Sequence, residues 1–223
     1  MKSDTTLVTR MPLLAKREAR PLGAGALYPP LKRGLDIVFS ATGLALLSPM
    51  LAVAALAVKL SSPGPVLFRQ VRVGRGGRPF RIAKFRSMRV GANGSWVTAG
   101  GDARVTRVGK LLRRSKIDEL PQLWNVLAGD MSLVGPRPEV QRYVDRFPED
   151  YARILAVRPG ITDHAAVEYR DEESVLAEAA DPEAAYLETV LPAKIRLYHR
   201  YLDEMSLRTD LALILRTLAA LLR

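Results

Sequence analysis

An uncharged apolar run near the start of the chain constrains its fold more than any other feature. The run covers 22 residues, 37–58, and is bounded by Asp36 and Lys59. As a helix it would be about 33 Å long, enough to cross the hydrocarbon core of a bilayer. The buried helix of a soluble protein rarely runs so far without a charge, so the sequence predicts a membrane helix at about residues 35–60.

Basic residues on both sides of this run indicate how it sits in the membrane. Lysines and arginines precede it, and residues 59–89 carry many more with no acidic residue among them. Since Lys and Arg mark the cytoplasmic side of a membrane segment, a spanning helix would have to send one basic flank across. Ser48-Pro49 stands near the middle of the run, and proline kinks a helix. These features favour a re-entrant helix, with a spanning helix as the alternative.

The rest of the chain has room for one globular domain. We interpret residues 1–30 as a tail and residues 31–223 as a single domain that includes the membrane helix. The apolar run starts too late and is too long for a secretory signal. The chain has no cysteine, which excludes disulfides and thiolate metal sites and agrees with a cytoplasmic location.

The charge balance points to an anionic partner. The formal net charge is +11, which suits nucleic acid, an anionic lipid surface or a phosphorylated small molecule. Aromatic residues are few and no nucleic-acid recognition motif is evident, so we expect no nucleic acid. The membrane helix makes anionic lipids expected neighbours.

Periodicity predicts an α+β fold that is mostly α. Residues 66–73 and 79–85 alternate as two strands of a short β-hairpin, joined through glycines. Residues 132–138 and 158–162 read as rigid loops because of their prolines. Helical spacing is found at residues 105–115, 119–127, 139–147, 149–155, 172–200 and 207–223. The last of these has a broad apolar face, which fits an amphipathic helix in the membrane interface or, equally, a core helix.

Asp118 and Glu119 form an acidic pair at the predicted start of a helix. Ser115 or Asp118 could cap that helix, and Pro121 is tolerated only near its N-terminus. The positive end of a helix favours both an ionised carboxylate and a bound phosphate. The pattern therefore indicates an aspartate that attacks phosphorus, although an acidic pair can also do no more than cap a helix.

Other chemistries leave no signal in the sequence. It has no phosphate-binding loop or dinucleotide fingerprint of the usual glycine spacing, and only two histidines, His164 and His199. What remains beside the acidic pair is a set of arginines braced by glycine or proline, namely Arg113, Arg137 and Arg158. Arginine forks bind phosphate oxygens in pairs, and rigid loops hold them ready.

Taken together, these motifs resemble the bacterial sugar transferases of the monotopic phosphoglycosyl transferase superfamily, in a minimal catalytic form. The similarity extends from about residue 32 to the C-terminus. It rests on Lys32-Arg33 with Asp36, Ser48-Pro49, Lys84-Phe85-Arg86-Ser87-Met88, Arg104-Val105-Thr106-Arg107-Val108-Gly109, Asp118-Glu119-Leu120-Pro121-Gln122-Leu123-Trp124-Asn125-Val126, Gly129-Asp130-Met131-Ser132-Leu133-Val134-Gly135-Pro136-Arg137-Pro138 and Arg158-Pro159-Gly160-Ile161-Thr162.

The resemblance implies a reaction and a set of roles. Such enzymes transfer a sugar 1-phosphate from a nucleotide diphosphate sugar, here expected to be a UDP-sugar, to polyprenyl (undecaprenyl) phosphate. Asp118 would attack the phosphorus and carry the phospho-sugar covalently, and Glu119 would help to hold Mg²⁺. Substrate binding would fall to Arg113, Arg137, Arg158, Lys84 and Arg86. The expected location is the cytoplasmic face of the bacterial inner membrane, with the chain monotopic there and a homodimer left open.

One segment departs from the family pattern. Many members continue Arg-Pro-Gly-Ile-Thr with Gly-Trp-Ala-Gln, whereas this chain has Asp163-His164-Ala165-Ala166. The departure leaves the donor sugar open. Two other functions also stay open from the sequence: a non-catalytic membrane scaffold that binds nucleotide sugars, and a basic nucleic-acid-binding protein.

Overall fold

A computed structural model describes residues 27–91 and 97–221 and shows the predicted α+β, mostly helical fold. Most of the predicted tail, residues 1–26, lies outside the described residues, as do residues 92–96 of the glycine-rich loop. The strands are β1 Leu67–Val73, β2 Pro79–Phe85, β3 Ser132–Val134 and β4 Gly160–Thr162. The helices are α1 Tyr28–Ser61, α2 Arg107–Arg114, α3 Gln122–Ala128, α4 Gln141–Val144, α5 Pro148–Ile154, α6 His164–Glu168, α7 Glu172–Ala177, α8 Pro182–Ala185, α9 Leu191–Glu204 and α10 Leu207–Leu221. A π-helical turn at Tyr186–Val190 lies between α8 and α9.

Helix α1 contains the predicted membrane segment. It begins at Tyr28, earlier than the predicted start near residue 35, because Pro29 and Pro30 fit the first turn of a helix, where backbone N–H groups have no helical partner. It continues as one helix through Pro49 to Ser61. Its most apolar stretch is long enough to cross a membrane, yet only 11% of that stretch is buried. A core helix would bury most of its apolar residues, whereas a helix that contacts lipid leaves them exposed on the protein surface, as here.

The N-terminal part of α1 is hydrogen-bonded to α3 and β3. The guanidinium of Arg33 donates to the carbonyls of Val126 and Leu127, at 2.6 and 3.0 Å. Asp36 is 4% exposed, and its Oδ1 accepts from Ser132 Oγ at 3.1 Å and from the next backbone N–H at 3.0 Å. The acidic residue that bounds the apolar run is therefore a buried anchor to β3.

The C-terminal part of α1 is packed on the same domain. Ala54 and Val58 form a small core with Phe85 of β2 and Leu112 of α2. Together with the bonds of Arg33 and Asp36, this contact attaches both ends of α1 to one body of protein.

The predicted hairpin is confirmed. β1 and β2 pair in antiparallel fashion, with Leu67 opposite Phe85. The free edge of β2 is covered by a side chain: Asn125 of α3 accepts from Ala83 N and donates to Arg81 O, both at 2.9 Å. The amide thus replaces a third strand and fixes α3 against the hairpin.

The two proline-rich loops meet in a small sheet that the sequence did not predict. β3 and β4 are parallel, with Ser132 opposite Gly160 and Val134 opposite Thr162. The chains cross so closely that a Cβ on Gly160 would lie 2.1 Å from Gly135 N. Only glycine tolerates that approach, so the sheet sets where the following Arg137 loop lies.

The main core lies under helices α4 to α10 and is rich in fully buried tyrosines, including Tyr151, Tyr198 and Tyr201. The long helix predicted at residues 172–200 was wrong, since the chain there forms α7, α8, a π-helical turn and α9. Asp181 breaks it: the side chain caps α8 by accepting from two backbone N–H groups, and Pro182 follows at the first helical position.

Helix α10 has one face in the main core and one exposed apolar face. Leu213 is 1% exposed in the main core, whereas Leu211, Leu215 and Leu218 are more than half exposed. The outer face is thus apolar and open, as an interfacial helix requires.

Candidate active site

Asp118 and Glu119 lie on a short 3-10 helix, Ile117–Glu119, in the connection between α2 and α3. The residue before it, Lys116, has φ 56°, a left-handed conformation unusual for a side chain larger than glycine. The capping predictions were wrong: neither the 3-10 helix nor α3 has a side-chain N-cap, and Ser115 Oγ donates back to Leu111 O. The acidic pair is therefore free for another purpose.

Glu119 is held by donors from three parts of the chain. Arg137 forms a fork on it, with Nη2 2.5 Å from Oε1 and Nη1 3.0 Å from Oε2. Lys84 Nζ lies 3.0 Å from Oε1, and Gln122 Nε2 lies 3.0 Å from Oε2. Each carboxylate oxygen thus has two donors, which fills its lone pairs. Although burial opposes ionisation, Arg137 and Lys84 hold the pKa of Glu119 well below its usual range.

Asp118 differs sharply from its neighbour. It is 7% exposed, and its Oδ1 is a buried atom with no hydrogen-bond partner in the described part of the chain. Burial, with the adjacent charge of Glu119, raises the pKa of Asp118 to about 6, against the opposing effect of Lys84, Arg113 and Lys116. The side chain is therefore ionised near neutral pH, but its surroundings stabilise the anion only weakly. A carboxylate in this state suits a nucleophile.

Lys84 and Arg137 are brought to the acidic pair as the sequence analysis expected. Burial lowers the pKa of Lys84 to about 8 despite the nearby Glu119. The Arg137 loop is fixed by Asp163, which is fully buried, caps α6 and accepts from Arg137 N at 3.2 Å. Sequence reasoning missed Asp163 and Gln122 as parts of the site. The capping pattern before α6 could have marked Asp163, and Gln122 stands in the motif that begins with Asp118, although nothing in that motif assigns it a role.

The other three predicted substrate-binding arginines bond to groups other than the acidic pair. Arg113 forms an ion pair with Glu173 of α7, at 2.6 Å. Arg158 donates to Gly129 O at 2.9 Å, so it stands at the end of α3 opposite Asp118. Arg86 is 5% exposed and joins β2 to the end of α1, with bonds to the carbonyls of Val58, Ser62 and Pro65. Contacts of this kind give Arg86 a structural role.

A metal ion would find a limited ligand set here. Within residues 27–91 and 97–221, no group of three or more His, Cys, Asp or Glu side chains gathers as a metal cage. Mg²⁺ often needs only one or two carboxylates when substrate phosphates supply further ligands. Asp118 Oδ1 is a buried carboxylate oxygen without a hydrogen-bond partner in the described part of the chain and fits this mode, whereas Glu119 fits only if one of its donors gives way.

The sequence profile of one protein family, described as bacterial sugar transferase, matches residues 27–223. A UDP-N-acetylgalactosamine-undecaprenyl-phosphate N-acetylgalactosaminephosphotransferase of Aeromonas hydrophila is 42% identical over 88% of this chain and 44% of its own length. A UDP-glucose:undecaprenyl-phosphate glucose-1-phosphate transferase of Caulobacter vibrioides is 46% identical over 86% of this chain and 69% of its own. A putative undecaprenyl-phosphate N-acetylgalactosaminyl 1-phosphate transferase of Bacillus subtilis is 47% identical over 56% of this chain. The chain thus spans less than half the length of the Aeromonas protein.

Proposed function

We propose, because this chain belongs to the bacterial sugar transferase family, that it transfers a sugar 1-phosphate from a UDP-sugar to undecaprenyl phosphate and releases UMP. The observation that carries this proposal is the contrast within the acidic pair. Glu119 is saturated by cationic and amide donors, while Asp118 beside it keeps a buried oxygen without a partner. Two relatives whose names describe such a transfer align with 88% and 86% of this chain.

The proposed reaction has two steps on Asp118. An oxygen of its carboxylate forms a bond to the phosphorus that carries the sugar, and the bond from that phosphorus to the bridging oxygen breaks. UMP leaves with the electron pair, and the phospho-sugar stays on Asp118 as an acyl phosphate. An oxygen of the lipid phosphate then attacks the same phosphorus, which restores the carboxylate and yields a polyprenyl diphosphate sugar.

Glu119 serves this reaction by holding two cations in place. Lysine has three N–H donors and arginine five, so Lys84 and Arg137 keep further donors after their bonds to Glu119. Donors fixed before the substrate arrives stabilise the charge on a transferring phosphoryl group without reorganisation. Asp163 supports this arrangement by accepting from the backbone N–H of Arg137, and Gln122 supports it by donating to Glu119.

We also propose that Mg²⁺ takes part: Asp118 would hold the ion together with the donor diphosphate, and Glu119 would be a further ligand if Gln122 gave way. When bound, the ion offsets the negative charge of the diphosphate.

The attachment of both ends of α1 to one domain supports a monotopic, re-entrant topology, and the basic residues on both flanks of the apolar run support the cytoplasmic face of the inner membrane. A helix that crosses the bilayer puts its ends on opposite sides, about 30 Å apart. Here Arg33 and Asp36 near one end, and Ala54 and Val58 near the other, contact the same domain. The exposed apolar faces of α1 and α10 would then contact lipid.

A screen of UDP-sugars tests the proposed function. The purified protein is given each donor with and without undecaprenyl phosphate, and UMP is measured. We expect one or a few donors to give sustained UMP release only when the lipid is present, and at most one equivalent without it. Binding of UDP-sugars with no UMP released by any donor would identify a non-catalytic scaffold instead.

A further inference from the structure

Arg113 is held by a carboxylate that no motif of the sequence marks. Its Nη2 lies 2.6 Å from Oε1 of Glu173 in α7. Arg113 also acts on the nucleophile, because its charge is among those that oppose the rise in the pKa of Asp118. Glu173 thus pairs with one of the cations whose charge favours ionised Asp118, and it does so from a helix outside the acidic pair and its donors.

Helix α7 itself is fixed, so the position of Glu173 is defined. Leu176 is 1% exposed in the main core, and Glu172 accepts from the buried Lys194 at 2.8 Å. The backbone of Glu173 accepts from Gly100 N at 2.7 Å. By contrast, the side chain of Glu173 is 42% exposed and extends from this fixed backbone to Arg113.

The Arg113–Glu173 pair is of a kind that a phosphate can replace. A partly exposed ion pair with one carboxylate contributes little stability, since solvent screens it. The arginine fork binds phosphate oxygens at least as well as carboxylate oxygens, and a diphosphate carries more negative charge. When a diphosphate binds beside Asp118, the interaction of Arg113 with a phosphate oxygen is therefore more favourable than its ion pair with Glu173.

We propose that Glu173 is a placeholder for the donor: it holds Arg113 while the site is empty and yields Arg113 to a phosphate oxygen of the nucleotide diphosphate sugar. This inference rests on the proposed function for the identity of the ligand. It makes Glu173 a positioning residue that sets donor affinity through Arg113. The carboxylate competes with the donor, so removing its charge tightens donor binding.

The test compares Glu173→Gln with the wild type in two measurements on the full chain. The first is steady-state UMP release, with whichever of UDP-glucose and UDP-N-acetylgalactosamine the wild type turns over. The second is calorimetric binding of UDP, which needs no turnover. We expect the donor KM and the UDP Kd to fall about two- to fivefold, the range that an exposed ion pair supports, with kcat unchanged. Added salt should narrow the difference from wild type.

Two further variants make the test specific. Asp203→Asn removes a carboxylate from another exposed arginine pair, with Arg153, changes the net charge equally, and should leave KM and Kd unaltered. In an Arg113→Gln background, Glu173→Gln should have no further effect on either constant, because the two residues act through one contact.

The outcomes separate the two proposals. A rise in KM and Kd in Glu173→Gln would show that Glu173 orients Arg113 for the donor, and an unchanged pair of constants would show no exchange; either overturns the placeholder. If the wild type released no UMP but Glu173→Gln still bound UDP more tightly, the exchange would stand and the proposed function would fail.

Discussion

Arg137 and Glu119 form a two-pronged ion pair, with Nη2 2.5 Å from Oε1 and Nη1 3.0 Å from Oε2. Its neighbour Asp118, by contrast, has a buried carboxylate oxygen with no hydrogen-bond partner among the described residues. Adjacent acidic residues thus have opposite environments, one stabilised as an anion and the other destabilised. Such a division is typical of catalytic carboxylates, whose roles are set by their surroundings.

The nucleophile can be tested directly. Asp118→Asn should abolish turnover, since an amide of the same shape cannot form the acyl phosphate. Mass spectrometry of the intact wild type, given donor without lipid, should show an added phospho-sugar that maps to Asp118 and is lost when undecaprenyl phosphate is added. An adduct on another residue, or wild-type turnover by the variant, would refute the covalent mechanism.

The pH dependence of turnover should report the ionisation of Asp118. Because burial raises its pKa to about 6, the reactive anion is lost as the pH falls through that value. We expect kcat/KM for the donor to reach a plateau between about pH 7 and 8, and to drop about tenfold per pH unit below 6. A profile that stays flat down to pH 5 would show that the ionisation of Asp118 does not limit the reaction.

The same shift has a consequence for stability. The folded protein binds the Asp118 proton more tightly than the unfolded chain, so the contribution of this group to the free energy of unfolding falls as the pH rises from about 4 to 6 and is constant above that. Asp118→Asn removes the buried charge. It should raise the free energy of unfolding at pH 7 by up to about 3 kcal/mol, the equivalent of a shift of about two pK units. Denaturant unfolding in detergent at pH 7 and pH 4 measures this, and the gain should vanish at pH 4.

The sequence predicted those parts of the molecule that local pattern determines. The apolar run, the hairpin and the acidic pair each occupy one continuous segment, and the structure has all three. Contacts between residues distant in the chain leave no such local pattern. Lys84 and Arg137 were expected to bind substrate phosphates, but nothing local shows that they converge on Glu119 from residues 35 and 18 positions away.

Short elements were missed for a related reason. β3 and β4 have three residues each, too few for an alternating pattern, and form only because Gly135 and Gly160 allow the two loops to touch. The break in the predicted helix 172–200 had a local signal in Asp181-Pro182, which helical spacing on either side concealed. Arg86 belongs to a motif of charged residues but is held in a structural contact, a distinction that needs the fold.

The fork geometry of Arg137 can be tested by a substitution that keeps the charge. Arg137→Lys should lower kcat/KM about tenfold or more, about 1.4 kcal/mol, since a point charge cannot bond both oxygens of Glu119 and still reach a phosphate. Arg153→Lys, in an exposed pair with Asp203, is the matched control and should turn over normally. Near-normal kinetics for Arg137→Lys would mean that the fork does not contribute to the reaction.

The topology can be tested at the two ends of α1, because the chain has no cysteine of its own. Leu27 precedes the helix and Leu60 lies in its last turn, and they are 80% and 78% exposed, so a cysteine at either position is open to reagents. In intact cells, Leu27→Cys and Leu60→Cys should both resist a membrane-impermeant thiol reagent added outside, and both should react after the inner membrane is permeabilised. Both ends are attached to one domain through Arg33, Asp36 and Val58, so they should share one side of the bilayer. Labelling of a single position in intact cells would show that α1 spans the membrane.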